Sequence, residues 1–268
     1  MKITVIGGGA PGEAVILSKL GVPAKVVTWL GNSMFAEIAR SELRIGDPEI
    51  IDLYQQDGNP LVLSSAMLCG GDRTFLSWCD EITLTEADIE RIRAEHQGAK
   101  IVLLSPHYPE IYQGMDLSGA VKVFDTGWEE DLSHENPKYR GFLEQADYYL
   151  PNRREALKMT GAAGVDEATE VLSRYFKHVI IKVDSEGCLI RDEEGTRIIP
   201  PLQGIEAVDA TGAGDAFLAG FTYGLYHGYS VDDCVRFGNI TGGTCVQAFG
   251  CLTKTLTEAE LLAAFRAM

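Results

Sequence analysis

Two carboxylates, Asp209 and Asp215, lie in the run Val208-Asp209-Ala210-Thr211-Gly212-Ala213-Gly214-Asp215-Ala216-Phe217, set among small residues. The segment that follows is apolar (Phe217, Leu218, Ala219, Phe221) and reads as a buried helix. If that helix starts near Gly212, its first N–H groups have no partner inside the helix. They point outward at the positive end of the helix dipole. Glycines let a ligand come close to this backbone. The result is an anion site of the kind that holds a phosphoryl group while charge builds on its oxygens. Asp215 falls in the first turn, where a carboxylate accepts the proton of an attacking hydroxyl. The plainer alternative makes Asp215 a helix-start acid and the glycines a tight turn. The local pattern alone leaves both readings standing.

Other residues invite chemistry more weakly. Asn152 and Glu155, in Pro151-Asn152-Arg153-Arg154-Glu155, have the spacing of an N-cap with a capping box. Gly7, Gly9 and Gly12 follow a strand and open a helix, which matches a dinucleotide fingerprint and suggests an oxidoreductase. That fold wants an acid at the end of the second strand. Here the second strand runs out through Thr28-Trp29-Leu30-Gly31-Asn32 without one. No G-x-x-x-x-G-K-[ST] string occurs, which removes only the P-loop class.

The elements that must position these residues alternate. Strand-length apolar runs occur at Ile3–Ile6, Ala24–Trp29, Lys100–Leu104, Ala120–Phe124, Tyr148–Leu150 and His178–Lys182. Helical segments at 12–20, 33–44, 85–96 and 152–160 separate them, and the C-terminal third is helix-rich at 212–226, 231–246 and 258–265. This alternation predicts an α/β fold with a central, mostly parallel sheet and helices on both sides. A hairpin over about 61–78 breaks the rhythm as a small flap, and a second hairpin spans 187–199. No repeat or linker appears, so residues 1–268 read as a single domain.

The charge is -16, from 39 acidic and 23 basic residues, and this argues against nucleic acid or an anionic membrane as partner. No stretch approaches the roughly 20 apolar residues of a membrane helix. The N-terminal apolar run is too short for a signal peptide. Six cysteines without a C-x-x-C pair read as reduced thiols in a cytoplasmic protein, and five scattered histidines lack zinc spacing.

The run Asp209–Phe217 resembles the D-T-x-G-A-G-D-x-F signature of the ribokinase (PfkB) family of carbohydrate kinases. Three further stretches fit in order: Pro151–Glu155 is similar to a P-N-x-x-E run, 179–187 to a strand and glycine turn that reach the nucleotide, and Gly238–Gly243 to a helix bordering the adenine. The resemblance implies a ribokinase-like α/β/α fold and an ATP-dependent kinase acting on a hydroxyl of a small sugar-like molecule. It implies Asp215 as base and Gly212, Ala213 and Gly214 as anion hole. It places Asn152, Lys182, Gly187, Thr211, Gly212, Gly214 and Asn239 toward the nucleotide, and Asn152 and Glu155 toward Mg2+ and its waters. It places Gly8, Gly9, Glu13, Arg73 and Asp215 toward the acceptor. It also implies a monovalent cation such as K+ near Asp209 and Thr211, and it leaves a homodimer open, because related kinases dimerise through their lid.

The chain departs from the family pattern at its N-terminus. The segment carrying a lid and a sugar-binding Asp is missing, and Glu13 stands where the family has Asn. Glu13 either faces a cationic group on the acceptor or is a first-turn helix acid. Lys182-Val183-Asp184 replaces a T-x-G, so Lys182 either approaches a phosphate or is a solvated strand-end lysine. Asp125 alone matches a D-x-N-x-R stretch, and its surroundings are similar to members that act on fructose-amine conjugates. The lost lid residues equally suit a non-catalytic binding protein on a kinase scaffold.

Overall fold

The computed structural model describes residues 9–58, 60, 62–69, 72–80, 82–104, 106–127 and 129–268; of the side chains between 62 and 79 it describes those of Ser64, Leu76 and Trp78. The expected first strand and Gly8 lie outside the described residues.

Helix α1 (Ala10–Lys19) starts from Gly9 with Pro11 in its first turn. Strands β1 (Lys25–Thr28) and β2 (Glu49–Asp52) pair in parallel, joined through α2 (Met34–Leu43). Strands β3 (Val62–Cys69) and β4 (Asp72–Cys79) form the flap hairpin, paired from Val62 opposite Cys79 to Cys69 opposite Asp72. Leu76 and Trp78 stand exposed on it. Arg73 lies on β4 opposite Leu68, and its side chain is outside the described residues.

The central sheet follows. In chain order its flanking helices and strands are α3 (Glu86–His96), β5 (Ile101–Leu104), β6 (Val121–Phe124), α4 (Pro137–Gln145), β7 (Tyr148–Tyr149), α5 (Arg153–Thr160), α6 (Val165–Leu172), β8 (His178–Lys182), β9 (Cys188–Asp192) and β10 (Gly195–Ile199). The sheet order is β10-β9-β8-β7-β6-β5. The pairs from β5 to β8 are parallel, and β9 and β10 add an antiparallel edge. The chain ends in α7 (Ala213–Tyr226), α8 (Val231–Cys245) and α9 (Glu258–Arg266).

Side chains alternate across the sheet and divide the core in two. Phe124, Tyr149, Val179 and Ile181 pack on one face with Tyr139 and Phe142 of α4 and Ala168 and Leu172 of α6. Val123, Ile180 and Ile190 pack on the other with Phe217, Leu218 and Phe221 of α7 and Val235 of α8. This is the expected three-layer arrangement. A third cluster joins α1 (Val15, Ile16, Leu17) to Ala216, Ala219 and Tyr223 of α7. Helix α7 is therefore fixed from two sides, and its first turn is held at the carboxyl edge of the sheet. Cys188, Cys234, Cys245 and Cys251 are free and buried. Among the described residues no helix is long and apolar enough to cross a membrane.

Candidate active site

The loop before α7 is tied down by one carboxylate. Asp209 Oδ1 accepts from the Thr211 N–H at 2.9 Å and the Thr211 hydroxyl at 2.6 Å, and Oδ2 accepts from the Gly250 N–H at 3.0 Å. Gly212 then caps the helix in the left-handed region, φ 77° and ψ 4°. No side chain caps this end. The first N–H to join the helical ladder is that of Ala216, which donates to the Gly212 carbonyl at 2.9 Å. The Gly214 and Asp215 N–H groups precede that bond and stay outside the ladder. Gly214 is exposed and Asp215 half-buried, so this turn is open to solvent.

Lys182 is the last residue of β8. A Cβ on Gly214 would lie 3.9 Å from its Nζ, so the ammonium stands against the first turn of α7. It also lies 5.8 Å from the Phe217 ring centroid. It is no solvated strand end: the Asp125 carboxylate holds it at 2.8 Å, and both side chains are 16% exposed. Burial works against its charge, but Asp125 and Glu155 outweigh that and hold its pKa above the ordinary lysine value. Burial in turn pushes the Asp125 carboxyl up to about 6, against the pull of Lys182. Glu13 faces the same groups from α1. It is 9% exposed, and among the described residues no hydrogen bond or ion pair reaches its carboxylate. Burial, then the charges of Asp215 and Asp125, raise its pKa well above the usual range, with Lys182 in partial opposition.

Asn152 and Glu155 form the reciprocal cap of α5. The Asn152 side chain accepts from the Glu155 N–H at 2.9 Å, and Glu155 Oε2 accepts from the Asn152 N–H at 2.8 Å. Glu155 is only 5% exposed, and its charge is felt by both Asp125 and Lys182. An oxygen-only donor set with one carboxylate suits Mg2+, which keeps water and leans on phosphate oxygens. Among the described residues no group of three or more His, Cys, Asp or Glu is arranged to hold a metal.

Two expected nucleotide contacts take on internal duties. The Asn239 amide donates to the Pro200 carbonyl at 2.9 Å and its oxygen accepts from Cys188 Sγ at 3.3 Å, so both ends of its carboxamide are engaged within the protein. Gly187 has φ 97°, and a Cβ there would lie 2.1 Å from the Ile199 carbonyl oxygen; packing explains this glycine without a ligand. The Thr211 carbonyl, expected to face a monovalent cation, accepts from Cys245 Sγ at 3.6 Å. The residue that sequence reasoning left without a role is Asp125. Its signal was its place directly after a strand of a parallel sheet, where binding groups gather at carboxyl ends.

A family profile described as "pfkB family carbohydrate kinase" matches residues 2–258. The chain is 28% identical over 260 residues to a cytidine kinase from Thermococcus kodakarensis, covering 88% of this chain and 86% of that one. Its fold is that of a ribokinase from Arabidopsis thaliana complexed with ribose and ATP (TM-score 0.79, 20% identity, 97% and 87% of the two chains). A putative ribokinase II from E. coli in complex with ATP and Mg2+ is similar too (TM-score 0.75, 20% identity, 97% and 89%).

Proposed function

Since the chain belongs to the pfkB family of carbohydrate kinases, phosphotransferases with an alcohol group as acceptor, we propose that it moves the γ-phosphoryl group of ATP onto a hydroxyl of a small sugar-like molecule at the first turn of α7. The observation that carries this reading is one juxtaposition. The Lys182 ammonium stands against Gly214 in the first turn of α7, the Gly214 and Asp215 N–H groups of that turn lie outside the helical ladder, and Asp215 belongs to the same turn. Membership in the family removes the oxidoreductase reading of Gly7, Gly9 and Gly12.

The acceptor lies between α1 and α7, near Gly9 and Glu13, with Gly8 and Arg73 assigned to the same end. Asp215 takes the proton of the acceptor hydroxyl. The oxygen attacks the γ-phosphorus, the bond to the bridging β–γ oxygen breaks, and ADP leaves. The first-turn N–H groups and Lys182 meet the charge on the transferring oxygens. Thr211 serves through Asp209 by fixing the loop. Asn152 and Glu155 would hold Mg2+, which would supply positive charge against the phosphate oxygens. Gly187 and Asn239 shape the nucleotide end by holding β9 and the 199–200 segment. The exposed Leu76 and Trp78 support a homodimer formed through the flap.

The test is Mg2+-dependent ADP formation from ATP against a panel of sugars, amino sugars and nucleosides. Acceptor-dependent turnover establishes the kinase and names its substrate class. ATP binding without turnover on any acceptor favours the non-catalytic binder, and no ATP binding at all removes the kinase reading.

A further inference from the structure

Asp125 supplies neither the base nor the anion hole of the proposed phosphoryl transfer. It follows β6, while Lys182 ends β8, and β7 lies between the two strands. Their ion pair therefore bridges the carboxyl ends of three neighbouring strands. On its other side the Lys182 ammonium meets the Phe217 ring and the first turn of α7.

A lysine ammonium sits on a flexible four-carbon stem with large rotamer freedom. To meet a transferring phosphoryl group at a fixed point it needs a second anchor, because transition-state stabilisation depends on donors placed in advance. The alternative is that the pair merely stabilises the fold. Buried ion pairs contribute little there, since desolvation offsets most of their attraction and apolar replacements do as well. A charged pair at the mouth of an anion site is better explained by what it aims.

We propose that Asp125 is a positioning residue for phosphoryl transfer: its carboxylate holds Lys182 Nζ against the first turn of α7, and Asp125 itself touches neither ATP nor acceptor. This rests on the kinase reading of the site.

The experiment is a double-mutant cycle with Asp125→Asn, Lys182→Met and both together. Thermal unfolding of each protein is measured alongside, and turnover is read on an acceptor found in the panel. Each single change is expected to lower kcat by about 10²-fold or more, with the acceptor KM unchanged. The double variant should lose no more than Lys182→Met alone, and Asp125→Glu should restore part of the rate. The proposal is overturned if the two losses multiply, if Asp125→Asn raises the acceptor KM at constant kcat, or if Lys182→Met keeps full turnover. If Asp125→Asn does not fold, Asp125→Ser takes its place in the cycle. If the wild type turns over nothing, the kinase reading fails separately. The same cycle read on ATP affinity by calorimetry then decides: losses that do not add support positioning, and additive losses overturn it.

Discussion

Cys251 occupies the space that any side chain on residue 212 would need: a Cβ on Gly212 would lie 2.2 Å from the Cys251 Cβ. Gly212 is also left-handed, at φ 77°. The same helix turn carries Gly214, where a Cβ would meet open space apart from Lys182 Nζ at 3.9 Å. Two glycines of one motif are thus required for different reasons, one by the protein and one by what approaches it.

Gly212→Ala and Gly214→Ala are accordingly expected to separate. The first adds a left-handed penalty of about 1–2 kcal/mol and a clash in a packed region, so its melting temperature falls by several degrees and activity falls with it. The second keeps the wild-type melting temperature, while the added methyl stands over the first-turn N–H groups and raises the KM for ATP or lowers kcat. Paired melting curves and steady-state kinetics check this. Equal stability of both variants would mean that the loop at Gly212 relaxes freely.

Asp215→Asn decides between the two readings that the local pattern leaves open. A base is expected to contribute about 10²–10⁴ in rate, so kcat drops by that factor while the KM for ATP holds. A helix-start acid instead gives up about 0.3–1 kcal/mol of dipole interaction, with turnover intact. Activity and unfolding measured on one preparation distinguish them.

Much of this site was legible in one dimension because its parts are local. Helix α7 begins at Ala213, one residue from the expected start, since an apolar run behind a glycine cap is a short-range signal. The Asn152–Glu155 cap and both hairpins are local in the same way. What was not legible depends on strand order. Asp125 and Lys182 are 57 positions apart and meet only because β6 and β8 flank β7. Asn239 points to the nucleotide only through the resemblance of Gly238–Gly243 to a helix bordering the adenine, whereas in three dimensions Pro200 and Cys188 engage both ends of its carboxamide. Strand β2 escaped because Glu49-Ile50-Ile51-Asp52 has too short an apolar core to stand out. Helix α4 did carry a signal, Asn136 as cap with Pro137 at the first position.

Glu155→Gln tests the metal role without dismantling the cap. Gln still offers one oxygen to the Asn152 N–H, but its NH2 faces the Asn152 Nδ2 that donates to Glu155 Oε1 at 2.5 Å, so α5 stays capped and the melting temperature falls slightly. The lost charge weakens the grip on Mg2+ and its waters, by about 10–100-fold if it acts as an outer-shell group. A shift of the Mg2+ activation curve to higher concentration is the expected result. Asn152→Ala, in contrast, removes the cap and costs about 1 kcal/mol. An unchanged Mg2+ curve in Glu155→Gln would leave the pair with its capping duty alone.

Glu13→Gln should make the protein more stable, and only over part of the pH range. Glu13 is raised in the folded state by burial and by the neighbouring Asp215 and Asp125. Folding therefore favours its protonated form. The stability this contributes is complete below the unfolded pKa of about 4.3 and is lost as pH rises through the higher folded value. Gln cannot ionise, so the variant escapes that loss and also relieves the repulsion on Asp215. The two proteins should melt together below about pH 4, and the variant should melt higher as pH rises, levelling off once the folded carboxyl has titrated. Lys182 moderates the effect, so the difference should grow in Lys182→Met. A gap in melting temperature that does not change with pH would mean that Glu13 is not a buried, unpaired acid facing Asp215, and its assignment to the acceptor end would lose its physical basis.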